Sequence, residues 1–177
     1  MATLYRCRDD VVVPAASETC FAVLRDIGTY GRWWTLVRVE PVAGGTRLRP
    51  GVRIRFRGRR PGRAEVSWVT RVTAVHAPLR LELEYDEGDL LGTTGWELEA
   101  APDGTRVAYV YYGVRPASPA AATTFGRYGT QLHSLAMRED ALAGLARLFG
   151  GAGAELDDAA WRARVEARLA AGVRALG

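Results

Sequence analysis

The sequence predicts an α+β fold: a curved antiparallel sheet wrapped around one long C-terminal helix, with two short helices near the start and an extra helix at the end. Two observations carry this. Apolar and polar residues alternate with period two in successive segments between residues 35 and 114, the pattern of half-buried strands. Residues 121–149 then place Phe125, Tyr128, Leu132, Leu135, Leu142, Leu145 and Phe149 at helical spacing. A sheet with one dry face must be covered, and this helix is the only element large enough to cover it.

The elements follow in order. Residues 4–13 alternate loosely and end in Val11-Val12-Val13 before Pro14, a first strand. Pro14 to Glu18 opens a helix, with Ser17 a candidate cap and Phe21, Val23, Leu24 and Ile27 its apolar face. Gly28 and Gly31 bend the chain before Trp33-Trp34. Strand patterns then run over 35–41, 51–57, 63–76, 79–85, 95–100 and 105–114. In 79–85, Leu79, Leu81, Leu83 and Tyr85 oppose Arg80, Glu82 and Glu84. Pro102-Asp103-Gly104 marks a hairpin turn. Gly150-Gly151-Ala152-Gly153 ends the long helix, and Trp161, Val165, Leu169, Val173 and Leu176 mark a final one over 158–176. Residues 1–149 therefore read as one domain, and 150–177 as a linker with an additional helix.

Composition narrows the classes of function. The chain has 177 residues, 48% of them hydrophobic and 25% charged, as in ordinary globular proteins. It has no run of about 18 apolar residues, so no transmembrane helix is expected. The N-terminus carries charges where a signal peptide needs an apolar run, so a cytoplasmic location is expected. Cys7 and Cys20 read as reduced thiols, with one disulfide as the other reading. The net charge of +4 comes from a single region: residues 47–63 hold eight arginines and no acid. Val52, Ile54 and Phe56 share one parity there, and Arg53, Arg55 and Arg57 the other. That is a hairpin with a wet outer face, neutralised across strands by Glu82, Glu84, Glu97 and Glu99. It lacks the stacking platform of a single-strand binder, so nucleic acid is not the expected partner.

Several local patterns resemble the START-like (SRPBCC, helix-grip) superfamily. Val13-Pro14-Ala15-Ala16 with Phe21, Asp26, Tyr30 and Trp33-Trp34 is similar to its opening segment. Trp68 with Arg71-Val72 is similar to its middle strand, and Trp96-Glu97-Leu98 with residues 103–107 to its last hairpin. The polyketide cyclase/dehydrase-like branch is the nearest in character. The resemblance implies a helix-grip fold with a pocket for a hydrophobic, lipid-like or polycyclic molecule between helix and sheet. It carries over no catalytic residue and implies no cofactor.

The candidate ligand-binding residues are Phe56, Trp68, Tyr85, Trp96, Tyr109 and Tyr111 on inward strand parities, Tyr128 on the covering helix, and Trp34 at the cavity mouth. Trp and Tyr join large apolar area to a polar tip, which suits a ligand site; plain core packing is the competing reading. Trp33 is expected in the core, because adjacent side chains on an extended chain diverge. Asp26 reads as a helix-end residue and His76 as a surface one. His133 falls off the helical stripe and is expected at the rim. Neither cysteine shows a base partner, and the separated histidines show no carboxylate at ligand spacing, so no metal is expected. If there is catalysis, tyrosine hydroxyls, or Arg71 if inward, would orient the substrate. Three functions stay open: a carrier or sensor of a hydrophobic molecule, a cyclase or dehydratase, and an interaction module using the basic hairpin. The terminal helix either packs on its own chain or makes a homodimer.

Overall fold

A computed structural model describes residues 3–58 and 65–151. The strands are β1 (Tyr5–Val13), β2 (Val37–Ala43), β3 (Arg53–Gly58), β4 (Val66–His76), β5 (Arg80–Gly88), β6 (Leu90–Ala101) and β7 (Gly104–Pro116). They form one antiparallel sheet in the order β1-β7-β6-β5-β4-β3-β2. Between β1 and β2 lie α1 (Ser17–Leu24) and a 3₁₀ helix (Ile27–Arg32). Asp26 caps that 3₁₀ helix, accepting from Gly28 N at 2.9 Å, as its helix-end reading requires. The predicted α+β sheet-and-helix architecture is the one observed.

The covering helix is not one piece. It runs as α2 (Pro119–Tyr128), α3 (Gln131–Ala136), a π segment (Met137–Leu142) and α4 (Ala143–Leu148). Gly129 takes a positive φ of 54° and ends α2, a conformation that favours glycine. The predicted stripe nevertheless spans this break: Phe125, Tyr128, Leu135, Leu142 and Leu145 are buried, and Phe149 packs against the core.

Register explains the arginine strand. Phe56 lies opposite Trp68, Ile54 opposite Thr70, and Thr70 opposite Tyr85, all on the concave face. The arginines lie outside. Arg53 pairs with Asp86 and Glu87, Arg55 with Glu87, Arg57 with Glu40, and Arg71 with Glu84 and Asp86. The outer face is thus neutralised across strands as expected, but mostly by other acids. Of the four foreseen, Glu97 and Glu99 pair with Arg8, and Glu82 with Arg80 and His76. Glu84 meets Arg71, which points outward and away from any substrate. Exposed pairs of this kind each add about 0–1 kcal/mol.

Leu79 does not join the inward row. It sits in the turn after Pro78, 56% exposed, and β5 begins at Arg80. Cys7 and Cys20 are both free thiols. No helix of the described residues is long and apolar enough to cross a membrane. Arg59, Arg60 and Arg63, the terminal helix expected over 158–176 and its dimer contact lie outside the described residues.

Candidate functional site

The concave face carries a closed circuit of aromatic rings. Trp34 meets Phe56 at 5.7 Å between centroids, Phe56 stacks on Trp68 at 5.5 Å, and Trp68 meets Tyr85 at 5.8 Å. Tyr85 meets Tyr111 at 6.0 Å, Tyr111 meets Tyr109 at 6.0 Å, Tyr109 meets Trp96 at 4.7 Å, and Trp96 returns to Trp34 at 6.2 Å. Seven of the eight candidate residues stand in this circuit, all buried. The eighth, Tyr128, is buried on α2 with the Arg127 guanidinium 5.2 Å over its ring. Trp33 and Trp34 are both core residues, 1% and 5% exposed. Their side chains do not diverge as those of an extended chain would. Trp33 has φ −133° and ψ −18°, outside strand geometry, and the two rings stack at 5.9 Å instead.

The polar tips in this face differ in how they are satisfied. The Tyr85 and Tyr109 hydroxyls are 2.5 Å apart. The Tyr30 hydroxyl donates to Leu24 O at 2.7 Å. Trp68 Nε1 and Thr70 Oγ1 are buried and have no hydrogen-bond partner among the described residues. Both sit on the inner face of β4 beside Tyr85.

Burial holds the tyrosine hydroxyls of Tyr30, Tyr85 and Tyr109 well above their ordinary range. Tyr112 is pushed to about 12, first by burial and then by its hydrogen bond to Glu97. These groups favour the fold while protonated. Their contribution is whole below about pH 10, the unfolded value, and is lost as pH rises toward the folded values. An alkaline titration should therefore show a cooperative step in tyrosinate absorbance that coincides with loss of the circular dichroism signal. Smooth ionisation of every tyrosine with the dichroism intact would refute this burial.

A second cluster lies at the edge of the circuit, and spacing along the chain does not disclose it. On β1, Cys7 and Asp9 share the inward parity; His133 comes from α3 and Arg138 from the π segment. His133 is not at an open rim: its side chain is 13% exposed, and its ring centroid lies 3.9 Å from that of Tyr111. Cys7 Sγ is 3.5 Å from His133 Nδ1, so this cysteine does have an imidazole neighbour. Asp9 is fully buried; Oδ1 accepts from Arg138 Nε at 2.6 Å, and Oδ2 has no hydrogen-bond partner among the described residues. Burial lowers the His133 pKa against the opposing pull of Asp9, leaving the imidazole neutral near pH 7. Burial raises the Cys7 thiol to about 11, helped by Asp9. One signal for the cluster is present in the sequence: a carboxylate, Asp9, on the apolar parity of a strand. His76 is a surface residue, as expected, with its side chain 60% exposed.

The sheet, the covering helix and the short helices define the helix-grip class of the START-like superfamily. Within it, the chain belongs to the family described as polyketide cyclase / dehydrase and lipid transport, whose profile matches residues 6–150. Solved structures share the fold. TTHA0849 from Thermus thermophilus superposes with a TM-score of 0.66 at 21% identity, over 80% of this chain and 94% of its own. A Rhodobacter sphaeroides protein gives 0.60 at 21% identity, over 82% and 92%. Ms6760 from Mycobacterium smegmatis gives 0.58 at 19%, over 81% and 89%. No curated protein matches this chain.

Proposed function

We propose that this protein binds a hydrophobic small molecule, lipid-like or polycyclic, between the concave face of the sheet and the covering helix, and acts as its carrier. The observation that supports this most directly is the unpartnered pair on β4, Trp68 Nε1 and Thr70 Oγ1. A buried polar group left unpaired costs about 1–3 kcal/mol, and an apolar ligand bearing a carbonyl or hydroxyl oxygen would relieve both. The indole nitrogen only donates, so that ligand must offer an acceptor there. The aromatic circuit supplies the apolar contact. The family description, which includes lipid transport, agrees with a carrier.

A cyclase or dehydratase is the second reading, favoured by the Tyr85–Tyr109 hydroxyl pair at 2.5 Å. Such hydroxyls, held well above their ordinary pKa, orient a substrate oxygen better than they abstract a proton. Tyr109→Phe then abolishes turnover with ligand affinity nearly intact, whereas a carrier has no turnover to lose.

Native mass spectrometry of the purified chain, followed by denaturing extraction, should reveal a bound hydrophobic molecule. Thr70→Val then separates the ligand-free and bound states. It removes an unpaired hydroxyl and is expected to stabilise the ligand-free protein by about 1 kcal/mol. Trp68→Phe and Thr70→Val are each expected to weaken binding of the extracted molecule by about threefold to tenfold, the worth of one hydrogen bond. Unchanged affinity in both variants would remove β4 from the site.

A further inference from the structure

We propose that Cys7, Asp9 and His133 form a zinc-binding site at the junction of β1 and α3. Thiol sulfur, carboxylate oxygen and imidazole nitrogen are donors that suit Zn²⁺. The Cys7 sulfur, a carboxylate oxygen of Asp9 and a ring nitrogen of His133 all lie within 4.8 Å of one another. Sγ is 3.5 Å and Oδ2 3.8 Å from Nδ1. Zinc bonds of about 2.3 Å to sulfur and about 2.0–2.2 Å to nitrogen and oxygen, at tetrahedral angles, place donors roughly 3.4–3.6 Å apart.

The independent observation is the carboxylate. Asp9 is fully buried, and only one of its oxygens is satisfied, by Arg138. The other, Oδ2, lies beside the imidazole and has no hydrogen-bond partner among the described residues. Arg138 takes the role of an outer partner that orients a ligating carboxylate.

A Cys-His-Asp catalytic triad would use the same residue types, but its geometry differs. A triad places the nucleophile at one imidazole nitrogen and the carboxylate at the other. Here sulfur and oxygen both approach Nδ1. Three donors of different residues within 4.8 Å of one another suit a coordination site better than a relay. Three protein ligands also leave one tetrahedral position to water or another outside ligand.

The test uses the full chain, reduced and freed of metal by chelation, titrated with Co²⁺ alone and then with Zn²⁺. The expected result is a near-ultraviolet thiolate-to-cobalt charge-transfer band that saturates at one equivalent and is bleached by Zn²⁺. Cys7→Ser should abolish the band and Cys20→Ser should keep it. His133→Gln should weaken Co²⁺ binding by at least about tenfold, since loss of even an outer-shell partner costs that much. The proposal is overturned if the native folded chain gives no thiolate band with excess cobalt, or if the band survives in Cys7→Ser. The native titration decides even if a variant fails to fold.

Discussion

Replacing Gly144 by alanine is expected to destabilise the protein by about 3 kcal/mol or more, the upper end of overpacking costs. A Cβ at this position would lie 2.0 Å from Trp33 O, 2.8 Å from Trp33 C and 3.1 Å from its Cα. All three are backbone atoms, so no side-chain rotation relieves the clash. The helix must move away from the Trp33-Trp34 segment or that segment must leave the core. Glycine costs a helix about 1 kcal/mol relative to alanine, so its presence inside α4 is explained by this close approach. Gly126, in α2, is the control. A Cβ there meets nothing within 4 Å, so Gly126→Ala should stabilise by about 0.5–1 kcal/mol. Urea unfolding of the two variants measures the contrast. Equal midpoints would show that α4 does not rest on Trp33.

The sheet is legible in the sequence because alternation is local. Phe56, Trp68, Tyr85, Trp96, Tyr109 and Tyr111 can each be assigned to the inner face from a few neighbours, and the structure places them there. What depends on geometry between segments is not legible. The acids facing the arginines differ from those expected because pairing follows register, and register shifts at Val69/Thr70, where β5 inserts an extra residue. Leu79 fits the alternation of β5, but its strand starts only after the turn at Pro78. His133 falls off the apolar stripe, but its face of the helix is covered by Cys7 of β1 and by Tyr111, a contact between segments that the stripe does not report. Cys7, Asp9 and His133 meet only when β1 and α3 pack together, a juxtaposition that no spacing along the chain encodes.

Asp140→Ala is the second large effect, an expected loss of about 3–5 kcal/mol. Asp140 is 3% exposed and sits in the π segment of the covering helix. Its Oδ1 accepts from Thr35 N at 3.1 Å and Thr35 Oγ1 at 2.7 Å, and its Oδ2 accepts from Leu36 N at 2.8 Å. Alanine would orphan these donors where the chain enters β2. Burial outweighs these donors and holds the carboxyl above its ordinary value. A raised folded pKa favours the fold below the carboxylate range and gives that advantage up as pH rises through it. The loss on replacement should therefore be no smaller in acid than at neutral pH. Asp140→Asn keeps one carbonyl acceptor and should lose roughly half as much. With Gly144, Asp140 ties the C-terminal half of the covering helix to residues 33–36, which carry Trp34 into the aromatic circuit. A variant that frees this half should therefore weaken ligand binding as well as stability. Chemical denaturation with ligand titration on the folded fraction separates the two. A stability loss below about 1 kcal/mol would mean that the clamp is not what holds the helix over the sheet.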